Sequence, residues 1–330
     1  MIDVHAHFFS TGVLDELTAH RRALAVSYDT DGRRLVFPSG PSRPLPSALA
    51  DLGDRRTWNE ERRISLQVLS PWLDVAGDDL APRDAVAWVR LLNDAVAKDL
   101  DGADDFRAFA ALPVSAGDAA AEELRRTVSE LGYVGAAIPT QVAGTSLTEA
   151  KLEGLFEAAA ALDAPLFLHP FRVLGEHRMG QNFMTNVCGN PFETTLAAMD
   201  LFFAGVFDRN PRLRVLLAHG GGALPFIAGR AAHAAKSVPS VTRRLDAPEE
   251  LFNLYFYDTV VHDVRALRFA VDLIGPTRIA LGSDVPFPMC IDDPAAHLRN
   301  ATSHVDDGAF DAVAVETPAR LLGRTHDELH

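Results

Sequence analysis

The chain is poor in cysteine, in basic residues and in long apolar runs, and each shortage excludes a class of protein. Two cysteines in 330 residues, Cys188 and Cys290, are too few for a disulfide framework and lack the spacing of a zinc–cysteine site. A reducing, cytoplasmic setting is therefore expected. Lysine and arginine number 31 against 45 aspartate and glutamate, a net charge of −14, and such a field repels nucleic-acid phosphates and anionic lipid headgroups. Neither nucleic acid nor membrane is expected as a partner, and an anionic substrate requires arginines placed locally against the global charge. No run of ~18 apolar residues offers a bilayer span, and no basic stretch followed by an apolar one marks a leader. What remains, 48% hydrophobic and 23% charged residues, is the make-up of a soluble globular protein.

Runs rich in β-branched and aromatic residues alternate with longer, alanine-rich amphipathic segments, the pattern of repeated βα units about a parallel sheet. Eight strands are predicted, at 2–9, 65–71, 106–113, 133–140, 165–170, 214–221, 254–261 and 278–284. Helices are predicted between them, among others at 83–100, 119–131, 149–162 and 193–207, where apolar residues recur at helical spacing. Eight such units in a single domain over 1–330 predict a (β/α)8 TIM barrel. An open doubly wound sheet would carry a glycine-rich phosphate loop after its first strand, and "HAHFFSTG" is not one. Residues 27–63 break the alternation: Asp31-Gly32 between two β-prone runs reads as a hairpin turn, and the prolines that follow favour an extended path. The expectation is a small insertion between strands one and two, a hairpin and lid over the barrel mouth.

The chemistry-bearing residues sit where barrel active sites are built, at the C-terminal strand ends. His5 and His7 are two apart in the first strand, so they share a face and point into the barrel. Strand five ends in His169, strand six in His219 and strand eight in Asp284, and in a closed barrel these ends converge on one axis. Imidazole and carboxylate in one place suit zinc, manganese or iron.

"DVHAHFF", "LFLHP", "AHGGGALPFIAGR" and "GSDVPFP", in this order and on these strands, resemble the amidohydrolase superfamily, in its branch of aminocarboxymuconate-semialdehyde decarboxylase and related decarboxylases. The resemblance runs nearly the whole chain. It implies one divalent metal ion, zinc first with manganese, iron or cobalt open, held by His5, His7, His169 and Asp284. It implies His219 as the catalytic acid/base beside a metal-bound water, with Asp284 at the catalytic centre as well as a ligand. Many binuclear relatives carry a lysine or glutamate at the end of strand four; here "YVGAAIPT" has neither, which favours a single ion. A divalent ion lowers the pKa of bound water from ~16 towards ~7, and histidine titrates near working pH.

The reaction so implied is non-oxidative decarboxylation of an unsaturated or aromatic carboxylic acid, the small-molecule partner expected. A hydrolase or hydratase on the same barrel is the alternative, because hydroxide would equally attack an ester, lactone, amide or activated double bond. A carboxylate substrate calls for arginine forks. Arg230, Arg172 and Arg178 are the candidates, with Arg43 in the insertion and Phe287 as an apolar pocket wall. In the resembling decarboxylase the arginine matching Arg230 reaches the neighbouring subunit's site, which implies a homodimer. The glycines of "HGGG" lack the Lys-Ser/Thr of a phosphate loop and read as room for a close backbone approach to the site.

Overall fold

Alternate residues of a strand face opposite ways, and in this chain both ways are covered. Leu166 and Leu168 join an apolar core with Leu155, Phe156, Leu201 and Leu224 of the surrounding helices, whereas Phe167 lies edge-on to the His5 ring, 4.8 Å away. Burial of each such leucine contributes roughly 2 kcal/mol. In the computed structural model, which describes residues 1–19, 24–305 and 308–324, eight such stretches form the barrel strands. They are β1 (Ile2–Phe8), β2 (Leu66–Pro71), β3 (Phe106–Ala110), β4 (Gly135–Pro139), β5 (Leu166–His169), β6 (Val215–Leu217), β7 (Phe256–Asp258) and β8 (Ile279–Ala280).

Each strand pairs in parallel with the next in chain order. The circle closes just beyond β8. Val4 N donates to Leu281 O at 2.9 Å, Asp284 N to His5 O at 2.7 Å and His7 N to Val285 O at 2.8 Å. The fold is the (β/α)8 barrel that the alternation predicts, with strands at all eight predicted places.

The helices that follow the strands are α1 (Leu52–Glu61), α2 (Pro82–Asp99), α3 (Asp118–Glu130), α4 (Glu153–Leu162), α5 (Asn190–Phe203), α6 (Leu224–Ser237), α7 (Val264–Ile274) and α8 (Thr317–Leu321). Their ends carry ordinary signals. Proline stands in the first turn of α2, α5 and α6, where its missing N–H costs nothing. Asp51 caps α1 by accepting from Asp54 N, satisfying a donor the helix cannot.

Between β1 and β2 the chain makes a short helix, Gly12–Thr18, and a three-stranded antiparallel sheet of Ser27–Asp29, Arg34–Phe37 and Gly40–Pro41. Its first turn is held by Asp29 Oδ1, which accepts from Asp31 N and Gly32 N at 3.1 and 3.2 Å. The left-handed residue of that turn is Arg33, φ 49°, and not Gly32. The inserted sheet docks through Phe37, whose ring meets buried Trp88 of α2 edge-on at 5.8 Å. Residues 52–61, inside the stretch read as insertion, are α1 itself: Leu52 and Trp58 pack on Ala6, Phe8 and Leu69 of β1 and β2.

Candidate metal centre and active site

The strand ends bring four donor side chains together. His5 Nε2 and His7 Nε2 are 3.2 Å apart, and Asp284 Oδ1 lies 3.3 Å from the first and 3.1 Å from the second. His169, at the end of β5, completes the group: one ligand atom from each of His5, His7, His169 and Asp284 falls within 4.8 Å of all the others. His219, directly after β6, stands beside it, its ring 5.3 Å from that of His169 and its Nε2 4.0 Å from Asp284 Oδ2. His219 and Asp284 both hold left-handed backbones, φ 56° and 64°, a conformation that costs a non-glycine residue energy and persists where the surroundings over-determine it.

These residues fit a divalent ion. Donors about 2.1 Å from one tetrahedral centre stand roughly 3.4 Å apart, close to the separations among His5, His7 and Asp284. The electrostatics agree. Burial would depress the His5 ring, but the charge of Asp284 and the hydrogen bond to Asp258 outweigh it and raise His5 to about 10. Burial would raise the carboxyls, yet His5 pulls Asp258 below its ordinary value, and His5 and His7 pull Asp284 well below. Two buried carboxylates thus demand positive charge at this spot. Meanwhile burial pushes His7 and His169 down, the latter well below its ordinary value with His7, His5 and His219 adding to the effect. Neutral imidazoles keep a lone pair for a metal. His169 Nδ1 lies 3.1 Å from the Pro170 carbonyl, a contact that the Nδ1–H form makes, leaving Nε2 as the acceptor.

The cluster opens on a cleft of about 860 Å³ whose wall includes His169, His219, Asp284, Trp72, Phe287 and, from the insertion, Phe37 and residues 39–44. Its size is that of a small-molecule site. The profile of the amidohydrolase family matches residues 2–324. The chain belongs to the amidohydrolase family. Among similar proteins, the 2-amino-3-carboxymuconate-6-semialdehyde decarboxylase of Dictyostelium discoideum is 35% identical over 247 residues, covering 72% of this chain and 69% of its own. The gamma-resorcylate decarboxylase of Rhodococcus jostii is 30% identical over 305 residues, 86% of this chain and 88% of that one. In structure, the 2,6-dihydroxybenzoate decarboxylase from Rhizobium superposes with a TM-score of 0.77 at 25% identity, covering 98% of each chain.

This amidohydrolase places the other expected residues unevenly. Phe287 is on the cleft wall, 4.9 Å from the His7 ring and 5.8 Å from Trp72 between ring centres. Arg172 and Arg43 line the cleft, but each already has an acid: Arg172 reaches Asp79 at 3.2 Å, and Arg43 grips Asp74 with two bonds while lying 5.2 Å over Trp72. Arg178, in an exposed turn, and Arg230, exposed on α6, are not among the residues lining this cleft. His219 differs from the expectation that it titrates near working pH. Burial, chiefly, lowers it to about 4, so the ring stands neutral at neutral pH.

Asp258, at the end of β7, where its place in the sequence suggests either a substrate contact or a supporting role, takes the supporting one. Its Oδ2 accepts from His5 Nδ1 at 2.6 Å and from His219 N at 2.9 Å, and its Oδ1 from Gly220 N at 2.7 Å. One carboxylate so fixes both the ring of His5 and the backbone that aims His219. The glycines of "HGGG" serve that turn. Gly220, Gly221 and Gly222 all have positive φ, and a Cβ on Gly222 would sit 2.0 Å from Pro191 O. Their close approach is therefore to Asp258, Tyr257 and Pro191, at the back of the site, and not to the ligand atoms.

Proposed function

We propose that this amidohydrolase is a metal-dependent carboxy-lyase that removes carbon dioxide, without oxidation, from an unsaturated or aromatic carboxylic acid. The carrying observation is the group of His5, His7, His169 and Asp284, three of them buried and His169 half-buried, at the floor of a small-molecule cleft with neutral His219 beside it. The decarboxylases similar to this chain support the same reaction. The ion we assign to His5, His7, His169 and Asp284 is zinc, which suits three imidazoles and a carboxylate. Bound there, it would supply Lewis acidity and lower the pKa of water.

The remaining work falls to the chain's own residues. Phe287 and Trp72 present apolar surface to the carbon skeleton. His219 accepts a proton at Nε2 and returns it to the substrate carbon, so the electron pair of the broken carbon–carboxylate bond ends in a new C–H bond. Arg43 and Arg172 are occupied by Asp74 and Asp79, so the substrate carboxylate calls for a further cation. We assign that part to Arg230 of a second copy. Arg230 lies one turn beyond Phe226 on α6, and Phe226 is 72% exposed, an apolar surface of the kind homodimers cover. The lack of disulfide-forming design, with Cys188 and Cys290 both free, supports a cytoplasmic setting; among the described residues no helix is long and apolar enough to cross a membrane.

The test is product analysis on the metal-loaded protein with carboxyl-labelled unsaturated and aromatic acids. Labelled carbon dioxide, lost in His219→Asn with metal content unchanged, is the expected result. Solvent oxygen retained in the organic product without carbon dioxide would replace the lyase by a hydratase or hydrolase.

A further inference from the structure

The loop after β2 places three acids on the cleft wall, Asp74, Asp78 and Asp79. Two have partners there: Arg43 grips Asp74, and Arg172 reaches Asp79. Asp78 is different. It is 8% exposed, and its Oδ2 is buried with no hydrogen-bond partner. A fold that leaves a buried carboxyl unserved bears a cost it could avoid with asparagine or a nearby donor, unless something else supplies the partner. Away from the His169 and Asp284 floor, the wall that carries Asp78 is short of free positive charge, because both arginines on it are spent on other acids and Glu176 also lines it. A second carboxylate on a ligand therefore meets repulsion near Asp78, whereas a neutral hydrogen-bond donor meets an acceptor.

We propose that Asp78 is a specificity-determining residue of the cleft, which selects acids bearing a hydroxyl or amino substituent by accepting its hydrogen bond and turns away acids that place a second carboxylate there. The assignment rests on the reading of the cleft as the binding site for a carboxylic acid. Burial, against the pull of Arg172 and with the help of Asp79, raises Asp78 to about 7, so the acceptor-only carboxylate form gains share as the pH rises above neutrality.

Binding, measured by calorimetry on the metal-loaded protein, tests this without requiring turnover. The probes are benzoate, its ortho, meta and para hydroxy and amino derivatives, and the corresponding dicarboxylates. Wild type should bind at least one hydroxy or amino acid about tenfold more tightly than benzoate. That gap should close to under about twofold in Asp78→Ala. In Asp78→Asn, which keeps an acceptor oxygen and the shape but loses the charge, the preference for the donor should survive while the dicarboxylates gain affinity. Equal binding of benzoate and all its derivatives to wild type, a gap unchanged in Asp78→Ala, or no binding of any probe would each overturn the assignment. Carbon dioxide release from the same acids is scored separately: a donor preference that depends on Asp78, without release, sinks the decarboxylase reading and leaves Asp78 in its role.

Discussion

Asp258 gathers hydrogen bonds from His5 Nδ1 and from the amides of His219, Gly220 and Val260, so its charge orients two members of the site at once. Replacing it by asparagine keeps the size and removes that charge. Asp258→Asn should weaken metal affinity by about 10–100-fold, read by competition against a chelator, and should lower activity further by loosening His219. Asp78 offers a test at the same scale with a defined sign. Its folded value of about 7 stands above the ordinary 3.8, so the folded chain holds a proton that the unfolded chain has released. Stability is then full below about pH 4, falls as the pH rises towards 7 and is level above that. Asp78→Asn should remove the slope, leaving the variant more stable than wild type by a few kcal/mol at pH 8 and by little at pH 4, as followed by denaturation at both values. The ligand residues were legible in the sequence because period two and strand-end placement oblige His5, His7, His169 and Asp284 to meet. Asp78 was not, because an acid in a loop looks solvated until the fold shows what faces it; Asp258, closing β7, could be read as a substrate contact or a supporting residue, but its partners could not be named.

At the scale of the element, the strands announced themselves and α1 did not. Parallel strands covered on both sides read as apolar runs, which is why all eight appear where alternation puts them. The residues α1 buries are Arg55 and Asn59, so no apolar stripe marks it and its sequence, "LGDRRTWNEE", blends into the insertion. Arg55 explains the inversion. Its guanidinium donates to Gln67 Oε1 and to His7 O, both at 3.1 Å, and Gln67 Nε2 passes the chain on to Asp3 Oδ2 at 2.8 Å. The helix thus pins the backbone of a metal ligand from outside the sheet. Arg55→Met should cost about 2–3 kcal/mol in denaturant unfolding, from acceptors left without a donor, and should lower metal affinity although residue 55 touches no ion.

The whole molecule presents an apolar stripe along α5, with Phe192, Leu196 and Phe203 exposed, and a stacked pair, Phe226 on α6 with Phe269 on α7, 4.9 Å between ring centres. In a chain with a net charge of −14 such surface invites a second copy only if the contact is apolar enough to outweigh mutual repulsion. For the homodimer proposed above, Leu196→Glu should yield a monomer in sedimentation and depress turnover, while Arg230→Ala should leave the mass unchanged and raise KM for the acid. The seam of the barrel has a consequence in time. The bonds that close the sheet, between residues 4–7 and 281–285, are also the ones that bring Asp284 to His5 and His7, across nearly the full described chain. During synthesis the two histidines emerge long before their carboxylate, and the entropy of so long a closure falls due in a single late step. A nascent chain halted after β7 has an open sheet and three of the four donors, so the carboxylate of Asp284 joins the imidazoles only in the step that shuts the barrel.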